Sequence, residues 1–504
     1  MPRRATLATA ALFVTGALIL AGCSSSPSPA PTSVGAPDPD ATLTIAATLE
    51  PSNLDIRHTS GAALDQALID NVYEGIVSRD QDNNVVPKLA SAYEVSDDGL
   101  TYTFTLQDGV TFHDGSALTA DDVVTSLTTA KDDPTVQGNS ALAGVTSITS
   151  PDAATVVVTL AEPNSDFLFS LTGRAGLVVR AGDTTDLQTK ANGTGPFTVS
   201  QWAQGQSLTL DRADAYWGEQ AGVAEVVIDY IPDRTAAANA ALADEVDVTL
   251  ELDPEFRSQI EDSGLFTIET GQTTDKGTLA FNNAAPPLND PKVREALRLA
   301  IDHDGLVEAI GGVGSPLYGP IPELDPGYED LSDLVPFDPE RAKELLTEAG
   351  QEDLELTLTI PNIYDATIPT YLVSAFNDIG VTLTVESVEF SVWLQDVYTN
   401  KDYELSFVRH VEARDFSNWT DPDYYFGYDN PEVQSLYAEA VASVDEEEAD
   451  TLLAEAARIV SEDDAADWLF VATPLAAVST QVADFPKNSL NVRLPLAGVT
   501  VSSE

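Results

Sequence analysis

The side chains that could do chemistry are few and scattered, apart from an abundance of carboxylates. The chain of 504 residues has one cysteine and four histidines, the histidines at positions 58, 113, 303 and 410. Histidines so far apart lack the spacing of a metal site, and 82 acidic residues make any one pair uninformative as a catalytic acid and base. No nucleophile elbow, dinucleotide fingerprint or P-loop motif is complete. The sequence therefore predicts no catalytic residue, no metal site and no cofactor.

The single cysteine, Cys23, lies between an apolar run at 10–21 and a Ser/Pro-rich tract. Two arginines precede the run, which is shorter than the roughly 20 residues that a spanning helix needs, as is typical of a secretory signal. The letters LAGC at its end resemble the bacterial lipobox, whose cysteine is acylated after cleavage; an ordinary signal with a chance cysteine is the alternative. We expect a lipoprotein signal peptide at 1–22, lipid attachment at Cys23 and a flexible tether at 23–40.

The acidic composition excludes several classes of partner. Removal of residues 1–22 leaves 22 Lys and Arg against 82 Asp and Glu, a net charge of −60. Such a body is repelled by nucleic acids and anionic lipid headgroups, so we expect no nucleic-acid binding and no membrane contact except through the lipid. The charge either attracts cationic ligands or only keeps the protein soluble. The length of the chain after the tether implies two or three lobes.

Apolar patterns predict an α/β body. Thr119–Asp122 has a capping-box pattern and Asp290-Pro291 a helix start, and 350–410 reads as βαβαβ, which indicates a largely parallel sheet. Asp-Gly turns within 98–115 predict a hairpin of two short strands. Segments rich in β-forming residues are found at 43–48, 101–107, 155–160, 197–202, 207–212, 225–231, 246–252 and 277–283.

Three blocks together resemble one family. They begin NVYEGIVSRDQDNN (71–127), GTGPFTVSQW (193–218) and FNNAAPPLNDPKVREAL (281–310). Each is similar to the matching block of the extracytoplasmic solute-binding proteins of family 5, the peptide- and nickel-type receptors of ATP-binding-cassette importers. The resemblance implies a two-lobed α/β fold like the periplasmic binding proteins of class II, in the large cluster with an extra subdomain in lobe I.

The same resemblance implies domain boundaries. Lobe I is expected at 41–275 plus 480–504, with the extra subdomain at about 65–185. Lobe II is expected at 276–479. The lobes would be joined by crossing segments near 277–283 and 472–480 and would close on a solute.

The resemblance also points to residues of the cleft. The loop 408–430 corresponds to the stretch that meets the ammonium of peptide ligands. Eight of its side chains could bind a zwitterion, an arginine by a planar fork to a carboxylate: Arg409, His410, Glu412, Arg414, Asp415, Asn418, Trp419 and Asp421. Relatives often carry an acid three residues before Asp-Pro, where this chain has Asn418, so Asp415 or Glu412 substitutes or the ligand lacks a free amine. The candidate ligand-binding residues are Glu50, Ser52, Asn282, Asn283, Trp393, His410, Arg414, Asp415, Asn418 and Trp419.

The function implied is that of a monomeric receptor on the outer face of the cytoplasmic membrane. It would bind a peptide-like solute and deliver it to the permease subunits of an importer, whose separate ATPase supplies energy. A secreted hydrolase acting on a small solute or sugar is the alternative from another class. A solute sensor with the same fold is a third.

Overall fold

The computed structural model describes residues 36–364 and 366–503. The predicted signal peptide, Cys23 and most of the predicted tether lie outside these residues. The described end of the tether pairs with the chain's other end, because Pro37 bridges Ser502 and Asp38 N donates to Val501 O at 2.8 Å. None of the described helices is both long and apolar enough to cross a bilayer.

The strands of the described residues are numbered in chain order. They are β1 (Thr42–Ala47), β2 (Val77–Arg79), β3 (Val85–Pro87), β4 (Ala90–Val95), β5 (Thr101–Leu106), β6 (Val145–Asp152), β7 (Thr155–Leu160), β8 (Phe197–Ala203), β9 (Ser207–Arg212), β10 (Glu225–Tyr230), β11 (Val248–Thr249), β12 (Phe266–Thr270), β13 (Lys276–Phe281), β14 (Gly314–Pro316), β15 (Glu355–Pro361), β16 (Thr382–Val388), β17 (Leu405–His410), β18 (Ala466–Ala472), β19 (Leu475–Ser479), β20 (Val482–Ala483) and β21 (Thr500–Val501).

The helices alternate with these strands. The α-helices are α1 (Ala62–Leu68), α2 (Ala120–Asp132), α3 (Phe167–Ser170), α4 (Arg234–Leu242), α5 (Arg257–Ser263), α6 (Pro291–Leu299), α7 (His303–Ala309), α8 (Pro339–Ala349), α9 (Thr367–Asp378), α10 (Phe390–Trp393), α11 (Pro431–Ala442) and α12 (Glu446–Glu462). A π-helical turn, Leu394–Thr399, continues α10, and short 3-10 helices occupy Asn139–Leu142, Arg174–Gly176, Pro254–Phe256, Ser332–Leu334 and Asp415–Trp419.

The first large sheet has the strand order β12-β19-β11-β1-β10-β9-β8. β1 is parallel to β10 and β11, whereas β19 runs antiparallel to β11 and β12. Alternate residues of β10 are buried, as expected where one face of a sheet covers a core, whereas Ile45, Ala46 and Ala47 of β1 are buried in succession. Leu43, Ile45, Val226 and Ile228 belong to that core.

The second large sheet has the order β14-β18-β13-β17-β15-β16. The predicted βαβαβ order of 350–410 is confirmed, and β16, β15 and β17 are parallel. The prediction of a largely parallel sheet is wrong for the other half, because β13 is antiparallel to both β17 and β18. The chain enters this sheet through β13 and leaves it through β18, so these two strands run in opposite directions.

A third, four-stranded sheet has the order β4-β5-β7-β6 and its own core. The capping box that starts α2 is confirmed, since Thr119 and Asp122 bond each other's backbone N–H. The predicted hairpin is wrong: β5 pairs with β4 and β7, and 110–117 forms only the bridge Thr111–Ala117. The aspartate-rich turn before β5 closes a hairpin with the preceding strand instead.

Two segments connect the large sheets. One links β12 to β13 and the other links β18 to β19, with two residues between the last pair. Two mixed sheets with separate cores, joined by two crossings and extended by a smaller sheet, form the predicted two-lobed class II fold. The sheet of β1 is the first lobe's and the sheet of β13 the second lobe's, while the residue boundaries given above stay a prediction.

Candidate functional site

A cavity of about 120 Å³ lies where the chain crosses between the two large sheets. We call it the crossing cavity. Its lining residues come from both sheets and from both connections: Arg234, Glu251, Leu252, Pro254, Thr273, Asp275, Val313, Arg409, Ala472, Pro474, Leu475 and Asn491. A second cavity, of about 20 Å³, shares Glu251 and Asn491 with it and reaches the loop after β1.

Arg409 of the second lobe and Asp275 of the first connection form one side of the crossing cavity. Arg409 lies on β17, which pairs with β13 next to Asp275. Its Nε donates to Asp275 Oδ1 at 2.9 Å, and a second guanidinium nitrogen contacts the other oxygen. The Asp275 side chain is 2% exposed, but that of Arg409 is 40% exposed. The guanidinium is therefore held in a fixed orientation with donors still open to the cavity.

Arg234 and Glu251 form the first lobe's side. Arg234 starts α4 and donates to Glu251 Oε2 at 3.2 Å, and the Thr48 hydroxyl donates to the same oxygen at 2.9 Å. Glu251 has a φ of 51°, a left-handed conformation that costs a residue with a Cβ roughly 1 to 3 kcal/mol. Two guanidinium groups and two carboxylates thus line one cavity, an arrangement that suits a ligand with both charges.

None of the candidate ligand-binding residues lines the crossing cavity, and sequence reasoning named Arg409 only as one of eight groups in the loop 408–430. Arg234, Glu251, Asp275 and Asn491 lie far apart in the chain and match no local pattern. One usable signal in the sequence was the scarcity of basic residues. The chain has 24 of them against 82 acidic ones, so each arginine is a candidate for a specific role.

The predicted loop 408–430 folds largely into a buried aromatic cluster. Trp419 stacks on Phe426 with ring centroids 4.0 Å apart and meets Trp468 edge-on at 5.0 Å. Trp393 is 4% exposed and its Nε1 donates to Ser406 Oγ at 2.9 Å. Both tryptophans therefore stabilise the second lobe's core in this structure.

The other amide and acidic candidates also have partners within the fold. Asn282 donates to Lys401 O and Tyr403 O. Asn283 donates to three backbone carbonyls. Glu50 accepts from Trp202 Nε1 at 3.0 Å and from Gly205 N. Ser52 is exposed and Asn418 half-buried. A ligand-binding role for any of these residues stays a prediction.

His410, Glu412 and Asp415 come together, with one ligand atom of each within 4.8 Å of the others. The buried ammonium of Lys276 lies 3.0 Å from Asp415 and also donates to Glu412 O. Burial, reinforced by the charge of Lys276, lowers the pKa of His410 to about 4. His410 Nε2 meets the Tyr425 hydroxyl at 3.0 Å. Because an ammonium already neutralises Asp415, this cluster is a polar network rather than a cation site.

Arg414 and Asp325 lie at a larger cavity of about 510 Å³ between the four-stranded sheet and the second lobe. We call it the acidic cavity. Its charged lining residues are Asp82, Asp166, Glu323, Asp325, Glu446, Asp450 and Arg414. Arg414 donates to Asp166 at 2.9 Å across the gap, and Ser165 N donates to Val441 O.

Asp325 makes a testable contribution to stability. Burial raises the pKa of its carboxyl to about 6, against the opposing charge of Lys276. The folded protein therefore binds more protons than the unfolded chain between about pH 4 and 6, so this group makes the protein less stable as pH rises through that window. The difference in unfolding free energy between Asp325→Asn and wild type should therefore shift in favour of the variant by about 2 kcal/mol as pH rises from 4.5 to 7.5. Urea denaturation at the two pH values measures this shift.

Asp330 is the control for that measurement. It is exposed, and the backbone N–H of Ser332 lowers the pKa of its carboxyl. Asp330→Asn should therefore leave the pH dependence between pH 4.5 and 7.5 nearly unchanged, because its effect, of the opposite sign, falls below about pH 4. Equal pH dependence of wild type and Asp325→Asn would contradict the assignment.

Comparisons with known proteins agree with this fold. A model of bacterial extracellular solute-binding proteins, family 5 middle region, matches residues 84–457. Protein XP55 of Streptomyces lividans is 32% identical over 286 residues, 55% of this chain and 52% of that protein. The dipeptide-binding protein of Escherichia coli is 28% identical over 322 residues, 58% of this chain and 60% of that protein. The chain thus aligns with little more than half the length of these relatives.

A solved structure extends the similarity to nearly the whole chain. The periplasmic binding protein DppA of Helicobacter pylori, in complex with the peptide STSA, superposes with a TM-score of 0.76 at 21% identity. The superposition covers 92% of this chain and 98% of that one. This likeness confirms the two-lobed fold. Since the family model spans most of the chain, this protein belongs to family 5 of the bacterial extracellular solute-binding proteins.

Proposed function

We propose that this protein is the lipid-anchored, extracytoplasmic receptor of an ATP-binding-cassette importer and captures a peptide-like solute between its lobes. The observation that carries the proposal is the crossing cavity, which is lined by Arg409 of the second lobe, by Arg234 and Glu251 of the first, and by Asp275 of the connection between them. A solute that contacts both lobes stabilises the closed arrangement more than the open one. The protein performs no chemistry and presents the solute to the importer's permease subunits.

The chemistry of the cavity indicates which end of the solute it takes. A guanidinium fork binds a carboxylate by two parallel hydrogen bonds, and Arg409 has open donors. Glu251 can accept from an ammonium. At about 120 Å³ the crossing cavity is smaller than the roughly 300–1,000 Å³ of pockets for drug-sized ligands. We infer that it holds a small zwitterion or the charged terminus of a longer peptide.

Peptides with blocked ends test this proposal. Free Ala-Ala should raise the melting temperature of the protein, because a ligand of the native state adds RT ln(1 + [L]/Kd) to its stability. The C-terminal amide and the N-acetyl form should stabilise less. Mass spectrometry should recover each peptide intact. Cleavage of the peptides would instead favour a hydrolase, and equal stabilisation by free and blocked forms would contradict recognition of a zwitterion.

Anchoring can be tested separately from binding. Cys23→Ala should release the protein from the membrane into the medium, because the acyl chains attached there supply the membrane affinity. Immunoblots of membrane and medium fractions measure the distribution. Ser24→Ala, which changes the neighbouring residue but keeps the thiol, should stay with the membrane. Retention of Cys23→Ala on the membrane would count against the lipobox.

A further inference from the structure

The acidic cavity has an excess of negative charge in its lining. It presents six carboxylates and one guanidinium, and that guanidinium, on Arg414, is already paired with Asp166. Arg79 also lies nearby, with its Cζ 5.4 Å from the Phe169 ring that Arg414 covers at 4.0 Å. Arg79 is outside the lining. A concave surface lined by one sign of charge concentrates ions of the other sign.

A cluster of acidic residues is weak evidence for a binding site in so acidic a chain, but one carboxylate of this cavity is buried and incompletely hydrogen-bonded. Asp325 is 7% exposed, and its Oδ2 accepts from Arg414 N at 2.7 Å. Its Oδ1 is buried without a hydrogen-bond partner among the described residues. A buried carboxylate oxygen without a donor is costly and uncommon in native structures. This oxygen therefore indicates a missing donor.

Space for that donor adjoins the carboxylate. An inner pocket of about 20 Å³ is lined by Asp325 and Asp415 and shares Asp166 and Arg414 with the acidic cavity. About 10–15 Å³ suffices for one water molecule, and an ammonium group is of similar size. Asp415 is neutralised by Lys276 at 3.0 Å, and Asp166 by Arg414. Among the described residues, Asp325 is thus the carboxylate of this pocket that has no direct ion pair, although the charge of Lys276 also acts on it.

The walls outside the inner pocket suit the rest of an organic cation. Tyr93 and Leu453 line the acidic cavity, together with the buried Tyr102 and with Phe169, whose ring Arg414 already covers. Aromatic faces attract organic cations and cover apolar stems. We propose that the acidic cavity binds an organic cation, an ammonium group on a short aromatic or apolar stem, with the ammonium donating to Asp325. The cation is either a separate molecule or a basic side chain of the captured solute.

Calorimetry on the full-length protein in detergent tests the site, with 2-phenylethylamine as the probe and 2-phenylethanol as its neutral isostere. At fixed ionic strength, the amine should bind at least tenfold more tightly than the alcohol. Asp325→Asn should weaken amine binding at least tenfold. Asp450→Asn removes the same charge from an exposed position of the same cavity and should change the affinity less than threefold. Equal binding of amine and alcohol, or equal effects of the two variants, would overturn the proposal.

Two further arms complete the test. Should Asp325→Asn fail to fold, crystals of wild type soaked with 2-(4-bromophenyl)ethylamine should show the anomalous bromine signal in the acidic cavity, and bromine only elsewhere overturns the site. Ala-Lys and Ala-Leu distinguish the source of the cation. If Asp325→Asn weakens the binding of Ala-Lys but not that of Ala-Leu, the ammonium belongs to the captured solute. If it weakens only the binding of the amine, the ammonium belongs to a separate molecule. Because the amine arm needs no peptide, failure of the crossing cavity as a peptide site would leave this result readable.

Discussion

Arg409→Gln is expected to weaken binding of a free peptide about thirtyfold or more. Truncating one partner of a buried, hydrogen-bonded charge pair costs roughly 2 kcal/mol or more of binding free energy, and 1.4 kcal/mol is a factor of ten in affinity. The loss should be large for Ala-Ala and small for its C-terminal amide, because the guanidinium is assigned to the carboxylate. Calorimetric titration of both peptides measures the difference.

Arg458→Gln is the matched control. Arg458 is also about 40% exposed and also forms a two-pronged pair, with Glu329, but it lies outside the crossing cavity. Its substitution should leave peptide affinity within about twofold. Loss of Arg409 also leaves Asp275 unpaired, so the melting temperature of the empty protein is recorded for each variant. An unchanged preference for the free carboxylate in Arg409→Gln would remove this residue from the site.

Arg298→Met is expected to lower the unfolding free energy by about 3–5 kcal/mol, the usual cost of removing one member of a buried charge network. Arg298 is 1% exposed, lies 2.9 Å from Asp464 and 3.6 Å from Asp467, and donates to Tyr318 O. Asp467 is fully buried and, of its ionic partners in the described part of the chain, would keep only His303, 3.1 Å away. Urea denaturation followed by tryptophan fluorescence measures the change, since Trp468 lies under Arg298.

Lys292→Met on the same helix is the control for Arg298→Met. Lys292 pairs with Glu348 at 2.9 Å, but both side chains are more than 40% exposed. Exposed pairs of this kind contribute about 1 kcal/mol or less, so the control should remain close to wild type. Equal losses in the two variants would show that burial of the Arg298 network is unimportant.

Local sequence patterns correctly predicted the elements whose geometry is set by residues only a few positions apart. Thr119 and Asp122 form the capping box three residues apart, and Asp290 caps α6 ahead of a proline. The βαβαβ order of the second lobe was read correctly from its periodicity. These features depend on neighbours in sequence, so the letters alone specify them.

Pairing and site geometry depend on distant residues and were harder to read. β5 lies between β4 and a strand some fifty residues later, and no turn signal in 97–115 reveals that partner. The pair Asp275–Arg409 spans 134 residues. The loop 408–430 was rich in groups that bind zwitterions, yet Trp419 is needed in the core. The family resemblance pointed to this loop, but its sequence does not separate residues that pack from residues that bind a ligand, and a binding role for the loop stays a prediction.

The two ends of the folded body meet, because Pro37 bridges Ser502 and Asp38 bonds Val501. A fluorescent protein fused at the carboxyl terminus would therefore lie beside residues 37–38 of the folded body and would not respond to closure of the lobes. A fluorescence energy-transfer sensor of lobe closure needs its donor fluorophore at this carboxyl terminus, on the first lobe, and its acceptor on the second lobe, for instance on the exposed turn at 352–353. Because the two ends of the folded body are adjacent, a short linker could join them and new termini could be opened in a surface turn. The product would be a circularly permuted form of the protein.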